Sequence, residues 1–211
     1  MVKKDWNKAI RPLLKEYKGR RHPLEYRTIY QLIVMVILAA GDSDVHINHI
    51  APALFAAFPD IAALSKTTPD RLYKAMGGGW NFAKKAGWLV ELAKKIKKDS
   101  NIRLTLDDLI GLPGIGRKSA NVILREAGKP AEGVMVDLHT IRVATRLGVA
   151  SGSDPVKIEE QLIGTLTYKN WDAGMAMSFL GREICRPKPK CEICLMKDVC
   201  SYYKELNKKK I

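Results

Sequence analysis

Two residues with the chemistry for a covalent reaction lie near each other in the chain, a lysine and an aspartate. Lys118 ends the segment Leu-Pro-Gly-Ile-Gly-Arg-Lys, and Asp137 follows nineteen positions later. The partial positive charge of a helix start disfavours a second positive charge, which favours a neutral, nucleophilic amine at Lys118. Asp137 lies within an apolar stretch, where a carboxylate serves as a helix N-cap, as a functional group, or as both. A solvated helix lysine is the structural alternative for Lys118.

The segment that precedes Lys118 has the composition of a tight hairpin. Pro113 fixes one φ angle, while Gly114 and Gly116 add backbone freedom and carry no side chain, so successive N–H groups can converge on an anion. The flanking patterns predict a short capped helix over 105–110 and a second helix over 117–127. The sequence therefore predicts a helix-hairpin-helix that cradles a phosphate. A helical turn without a ligand is the alternative.

Four cysteines form one cluster near the C-terminus, and the chain contains no others. They follow the pattern C-x5-C-x2-C-x5-C at Cys185, Cys191, Cys194 and Cys200. Four thiolates suit either a tetrahedral zinc ion or an iron-sulfur cluster, and the spacing alone does not choose between them. Disulfides are the less favoured alternative, because we see no secretory signal pattern and the chain is large enough to bury a core.

The composition favours a polyanionic partner and a helical fold. The 36 Lys and Arg residues against 22 Asp and Glu give a formal net charge of +14. Apolar stretches of helical length alternate with Pro and Gly punctuation, without a sustained period-two segment, which predicts an all-α protein. The longest apolar run, 32–40, is too short to cross a bilayer and fits a buried helix, so we expect no membrane partner.

Together these motifs resemble a known family. The hairpin LPGIGRKSAN, the segment VDLHTIRV and the four-cysteine loop, in that order, resemble endonuclease III, the iron-sulfur branch of the helix-hairpin-helix DNA glycosylases. The resemblance runs nearly end to end and implies a two-lobed, all-α fold. It implies a six-helix lobe over 21–131 that contains the helix-hairpin-helix, and a discontinuous cluster lobe formed by 1–20 and 132–211. The DNA groove would lie between the lobes.

The resemblance also implies an activity, a cofactor and a partner. The chain would be a bifunctional base-excision repair DNA glycosylase and AP lyase that removes a damaged base, an oxidised pyrimidine above all. Lys118 resembles the Schiff-base lysine, Asp137 the essential aspartate, and the four cysteines the ligands of one 4Fe-4S cluster. The implied partner is double-stranded DNA with damaged bases or abasic sites. We expect a monomer in the prokaryotic cytoplasm, associated with the nucleoid.

Two other functions are compatible with parts of the pattern. A monofunctional glycosylase for mismatched or alkylated bases is disfavoured by Lys118, since such relatives usually carry another residue there. Ile37 also occupies the region where adenine-specific relatives place a catalytic glutamate. A non-catalytic, structure-specific DNA-binding protein would not need both Lys118 and Asp137.

The expected DNA contacts fall on the hairpin, on the segment after Asp137 and on the cysteine loop. They are Leu112, Gly114, Ile115, Gly116, Arg117, His139, Arg142, Arg186, Lys188 and Lys190.

The chain departs from the family pattern at two places that face the gap left by a flipped nucleotide. Gly41 stands where the family carries a gap-filling glutamine, and Gly79 stands where it carries a leucine wedge. Smaller departures are a first cysteine spacer of five residues instead of six and one extra residue between the lysine and the aspartate. Either neighbouring side chains, Phe82 among them, fill the gap instead, or the enzyme prefers lesions that are already poorly stacked, such as abasic sites or mismatched bases. The candidate positions are Gly41, Asp42, His46, Gly79, Trp80 and Asn81.

Overall fold

The computed structural model describes residues 4–79, 81–130 and 132–208, and these ranges contain helices and no β-strand. The prediction of an all-α protein is therefore confirmed. The chain divides into two compact units, one formed by Arg21–Pro130 and the other by Met1–Arg20 with Ala131–Ile211. None of the described helices combines the length and the apolar character needed to cross a membrane.

The unit Arg21–Pro130 holds seven α-helices among its described residues, where six were expected. One short helix among them is started by Thr68, which caps it, and by Pro69 in its first turn, where the missing N–H of a proline costs nothing. The helices are α3 (Ile29–Ala39), α4 (Asp44–Ala57), α5 (Ile61–Ser65), α6 (Pro69–Ala75), α7 (Phe82–Ile96), α8 (Leu106–Ile110) and α9 (Arg117–Glu126), after α1 (Trp6–Ala9) and α2 (Arg11–Glu16) of the other unit.

Polar side chains set the start of most of these helices. In each case a side-chain oxygen accepts a hydrogen bond from the backbone N–H three residues later, and one such cap contributes about 1 kcal/mol. These caps are Thr28, Ser43, Asp60, Thr68 and Thr105. Helix α3 is buried along 32–38 and packs against α4, α7 and α9, as the long apolar run predicts.

The second unit combines α1 and α2 with the C-terminal part of the chain. Its other helices are α10 (Leu138–Leu147), α11 (Pro155–Thr165), α12 (Ala173–Glu183) and α13 (Ser201–Lys208). Helix α12 is central, because its residues from Ala173 to Gly181 are all buried and it packs against both α10 and α2.

Two glycines bring α12 unusually close to the start of α10. A Cβ at Gly174 would lie 2.3 Å from the carbonyl oxygen of Met135, and a Cβ at Gly181 would lie 2.8 Å from the Cβ of His139. Any larger residue at Gly174 would force the two segments apart. Ser178 lies one turn from both glycines on the same face, and this close packing places it against Asp137.

Candidate functional site

The hairpin connects α8 to α9, which confirms the predicted helix-hairpin-helix. Gly114 has a φ of +81°, and a Cβ there would lie 2.9 Å from the ring of Trp88 and 3.3 Å from Ile37. The missing side chain at Gly114 therefore accommodates packing within this unit. Gly116, the N-cap of α9, differs, because nothing lies within 4 Å of the position its Cβ would take. Gly116 is the glycine that leaves the hairpin open to an external group.

Lys118 lies in the first turn of α9 and is exposed, as is Arg117. Gly116 has no side chain that could cap this helix start, so the first-turn amides of Lys118 and Ser119 are oriented to serve an external acceptor. Ile115 is buried and Leu112 is half-buried. The side chain of Ile115 is therefore part of the core, so any contact that Ile115 makes outside the protein uses its backbone.

Asp137 is held by three hydrogen bonds that use both of its carboxylate oxygens. Oδ1 accepts from the backbone N–H of Thr140 at 2.7 Å and lies 3.0 Å from the Thr140 hydroxyl. Oδ2 accepts from the hydroxyl of Ser178 at 2.6 Å, and Nη2 of Arg182 lies 3.8 Å from the same oxygen. Asp137 is thus the N-cap of α10, one of the two roles its sequence context allows, and it has partners that a simple cap does not need.

These partners keep the Asp137 carboxylate charged. Its side chain is only 11 % exposed, and burial alone would raise its pKa. Hydrogen bonds from Ser178 and from the N–H and hydroxyl of Thr140 outweigh burial, with a smaller contribution from the nearby His139, and they hold the pKa of Asp137 below its usual value. The side chain is therefore an anion at neutral pH, suited to stabilising positive charge.

Arg142 is engaged with the protein itself. Its Nε donates to the carbonyl of Cys185 at 2.8 Å, and its Nη2 donates to the carbonyl of Gly181 at 2.9 Å. Nη2 also lies 3.0 Å from Nδ1 of His139. These contacts tie α10 to the end of α12 and to the first cysteine, so they favour a structural role for Arg142 over a phosphate contact.

The four cysteines are free thiols that line one cavity. Burial raises the pKa of Cys191 and of Cys194, and the other cysteines raise both pKa values further because their thiolates repel one another. The four sulfur atoms are thus close enough to interact, and a bound cation would relieve the repulsion. Within the described ranges no three His, Cys, Asp or Glu side chains are arranged to coordinate a single metal ion.

Arg146, at the last turn of α10, organises the cysteine loop, and sequence reasoning missed it. Its guanidinium donates to Sγ of Cys185 at 3.5 Å and to the carbonyls of Arg186 and Pro187 at 2.7 and 3.1 Å. The thiol of Cys200 in turn lies 3.3 Å from the Arg146 carbonyl. A cationic donor among four thiols fits a group bound by four thiolates. The sequence feature that could have pointed to Arg146 is its position at the end of the helix that Asp137 begins.

Arg186, Lys188 and Lys190 are exposed on this loop. Nε of Arg186 donates to the carbonyl of Arg182 at 2.8 Å, while the loop keeps the three positive charges within five residues. They remain suited to contact phosphates.

At the first gap-filling position, Gly41 has a φ of +77° and open space around it. The left-handed backbone makes any larger residue strained there, including the family's glutamine. Asp42 accepts a 2.9 Å hydrogen bond from Nδ1 of His46, whose half-exposed ring lies parallel to Phe82 at 6.0 Å. This contact fixes His46 at the surface.

At the second position, Gly79 is exposed with a φ of +143°, and Asn81 is exposed with a φ of +66°. Phe82 is 1 % exposed, so the expectation that it could fill the gap is wrong, because insertion would unpack the core. Trp80 lies outside the described residues.

Comparisons with known proteins agree with this geometry. The HhH-GPD superfamily of base excision DNA repair proteins matches residues 34–166. The endonuclease III of Synechocystis sp. is 33% identical over 192 residues, which cover 89% of this chain and 88% of the relative. Two solved structures have the same fold with a TM-score of 0.85 each. A non-covalent endonuclease III–DNA complex is 25% identical and covers 99% of this chain and 100% of its own. A trapped endonuclease III–DNA covalent intermediate is 24% identical, with 98% and 100% covered.

The family match spans more than half of the chain and includes both the hairpin and Asp137. The identity to a curated endonuclease III extends over most of both proteins. The chain therefore belongs to the HhH-GPD superfamily of base excision DNA repair proteins, within its endonuclease III family.

Proposed function

We propose that this protein is a base-excision repair glycosylase and AP lyase in which Lys118 is the nucleophile and Asp137 the essential carboxylate. The observation that carries the proposal is the presence, each within its own unit, of an exposed amine in the first turn of the hairpin's second helix and of a buried carboxylate held in its charged form. Nucleophilic catalysis at a sugar carbon needs both an accessible nucleophile and a fixed negative charge for the developing cation.

In this proposal the amine of Lys118 attacks C1′ of the damaged nucleotide. The N-glycosidic bond breaks, and the base leaves with the bonding electron pair and takes up a proton. The resulting sugar adduct opens to a protonated Schiff base between Nζ and C1′. That cation acidifies the C2′ proton, and its removal expels the 3′ phosphate by β-elimination.

Asp137 would act through its charge. Its oxygens already accept hydrogen bonds from Thr140 and Ser178, which leaves it poorly suited to take a proton from Lys118. A fixed anion lowers the energy of the positive charge that develops on the sugar as the base departs. We therefore assign Asp137 an electrostatic role.

The proposed substrate is duplex DNA with a single damaged base, since a base within a duplex must be flipped out before it can react. The solved relative that forms a non-covalent complex with DNA supports DNA as the partner. We propose that the protein acts as a monomer, in the prokaryotic cytoplasm, and that oxidised pyrimidines and abasic sites are its preferred lesions.

A panel of duplexes with one lesion each tests this function. The duplexes carry an oxidised pyrimidine, an alkylated base, a mismatched base or a preformed abasic site, and strand cleavage is measured with and without later alkaline treatment. Cleavage without alkali at the oxidised pyrimidine and at the abasic site is expected. Base loss that needs alkali for strand cleavage would instead assign a monofunctional glycosylase.

We also propose that the four cysteines hold one 4Fe-4S cluster, which would cross-link the loop. Protein purified anaerobically is expected to be brown and to contain about four irons per chain. Cys194→Ala is expected to reduce soluble yield and DNA binding together, because the loop that carries the basic residues would lose its support. Stoichiometric zinc without iron in such a preparation would contradict this assignment.

Phosphate contacts are expected to dominate DNA affinity. Replacing Lys188 and Lys190 together by alanine should flatten the dependence of log K on log salt by about one to two units. The pair Lys157 and Lys169, exposed lysines of the same unit, serves as the control for the loss of two charges. Fluorescence anisotropy over a salt series measures the slopes, and an unchanged slope in the first variant would mean that its lysines are merely solvated.

A further inference from the structure

Ser178 is a buried serine of α12 that lies against Asp137. It is 2 % exposed, and its hydroxyl donates to Oδ2 of Asp137 at 2.6 Å. Gly174 and Gly181 allow the close approach of α12 that this distance needs, since a Cβ at either position would collide with the segment around Asp137. Nε of Arg182 lies 3.5 Å from the Ser178 oxygen, on the next turn of the same helix.

The two oxygens of Asp137 have different supports. Oδ1 accepts from Thr140 in the first turn of α10, the hydrogen bond that any aspartate N-cap makes to its own helix. Oδ2 is held from another helix, by Ser178. The capping of α10 therefore needs only one oxygen, and the contact from α12 serves the orientation and charge of the other.

We propose that Ser178 is a positioning residue that fixes Oδ2 of Asp137 and keeps this carboxylate from accepting a proton during catalysis. The proposal rests on the proposed function, and it names the residue that maintains the electrostatic role assigned to Asp137. A hydroxyl that donates to Oδ2 stabilises the anion and opposes protonation. Asp137 then acts by charge alone, and another group or a water molecule removes the proton from Lys118.

The other charged or titratable groups near Asp137 come from two helices. Arg182 of α12 lies 3.8 Å from Oδ2, and His139 of α10 acts on the carboxylate at longer range. Glu183 of α12 is turned to Arg20 and to the hydroxyl of Tyr17. Both groups that act on Asp137 are basic, so they add to the effect of Ser178 and remain in place when its hydroxyl is removed.

Ser178→Ala removes the donor and leaves the N-cap bonds to Thr140. Loss of a hydrogen bond to a charged group is expected to raise the pKa of Asp137 by about one unit. Because the ionised form is the active one, the acid limb of the single-turnover rate of base excision should move to higher pH by the same amount. The rate on the alkaline side of that limb should change little. Ser178→Cys has a weak S–H donor of similar size, so its acid limb should lie between those of the wild type and of Ser178→Ala.

Ser65→Ala is the matched control, since that helix serine donates only to the carbonyl of Ala62 in the other unit. A carboxyl ¹³C titration of the free protein gives a second readout that needs no activity. If the wild type cleaves no lesion duplex, the proposed function fails, while the titration still tests Ser178. An acid limb and a carboxyl titration that stay unshifted in Ser178→Ala, with the rate reduced equally at all pH values, would overturn the proposal. If Ser178→Ala does not fold, the same two measurements on Ser178→Cys test the proposal: a shift to higher pH supports it, and no shift overturns it.

Discussion

Lys118→Gln is expected to abolish covalent capture of abasic DNA. Glutamine keeps most of the length and the polarity of the side chain but has no nucleophilic amine, so no Schiff base can form for borohydride to reduce. Helix α9 should be unaffected, because the side chain is exposed and glutamine is a good helix former. The measurement is the yield of the reduced protein–DNA adduct on a denaturing gel, which should fall to background.

Lys94→Gln provides the control, since Lys94 is an exposed helix lysine of the same unit and its loss changes the net charge by the same amount. It should trap at the wild-type yield. Wild-type trapping in Lys118→Gln would assign the nucleophile to another amine, and equal losses in both variants would indicate an effect of charge on DNA binding.

The second large effect is expected for Asp137→Asn. Asparagine is as good an N-cap as aspartate, so the bond from the Thr140 N–H survives and the change removes mainly the charge. Turnover of a damaged base should fall about 10²–10³-fold, the usual effect of deleting one preorganised electrostatic group. DNA affinity should stay near the wild-type value, because the charge acts mainly in the transition state.

Asp154→Asn makes the same chemical change at an exposed N-cap, that of α11 in the same unit, and should leave turnover intact. Single-turnover rates, DNA affinity and melting temperature are compared for the two variants. A loss of binding and of thermal stability in Asp137→Asn that matches its loss of turnover would reduce Asp137 to a helix cap.

Local patterns predicted much of the fold. The caps at Thr105 and Asp137 and the glycine hairpin each act within a few residues, so composition and spacing were enough to indicate α8, α9 and α10. The count of six helices in the lobe 21–131 came from the family resemblance, and the structure has seven α-helices there, one of which Thr68 caps. The conformation of Gly41 is predictable from its position, since a glycine after a helix end is typically left-handed. A glutamine, as in the family pattern, would be strained in that conformation.

The support of Asp137 could not be predicted from sequence. Ser178 is 41 positions away and lies in the stretch of α12 from Ala173 to Gly181, where every residue is buried, so no periodicity singles out one serine. The pairing depends on how closely α12 approaches α10, which Gly174 and Gly181 determine. The role of Arg146 could not be predicted either, because its partners lie on a loop about forty residues later in the chain.

Peptide mapping of the reduced adduct tests the central claim most directly. Wild-type protein is trapped with borohydride on abasic DNA, the adduct is digested with nuclease and protease, and the modified peptide is sequenced by mass spectrometry. The account predicts one modified residue, Lys118, carrying a reduced deoxyribose remnant on its ε-amine. A remnant on the N-terminal amine or on another lysine, with Lys118 unmodified, would contradict it.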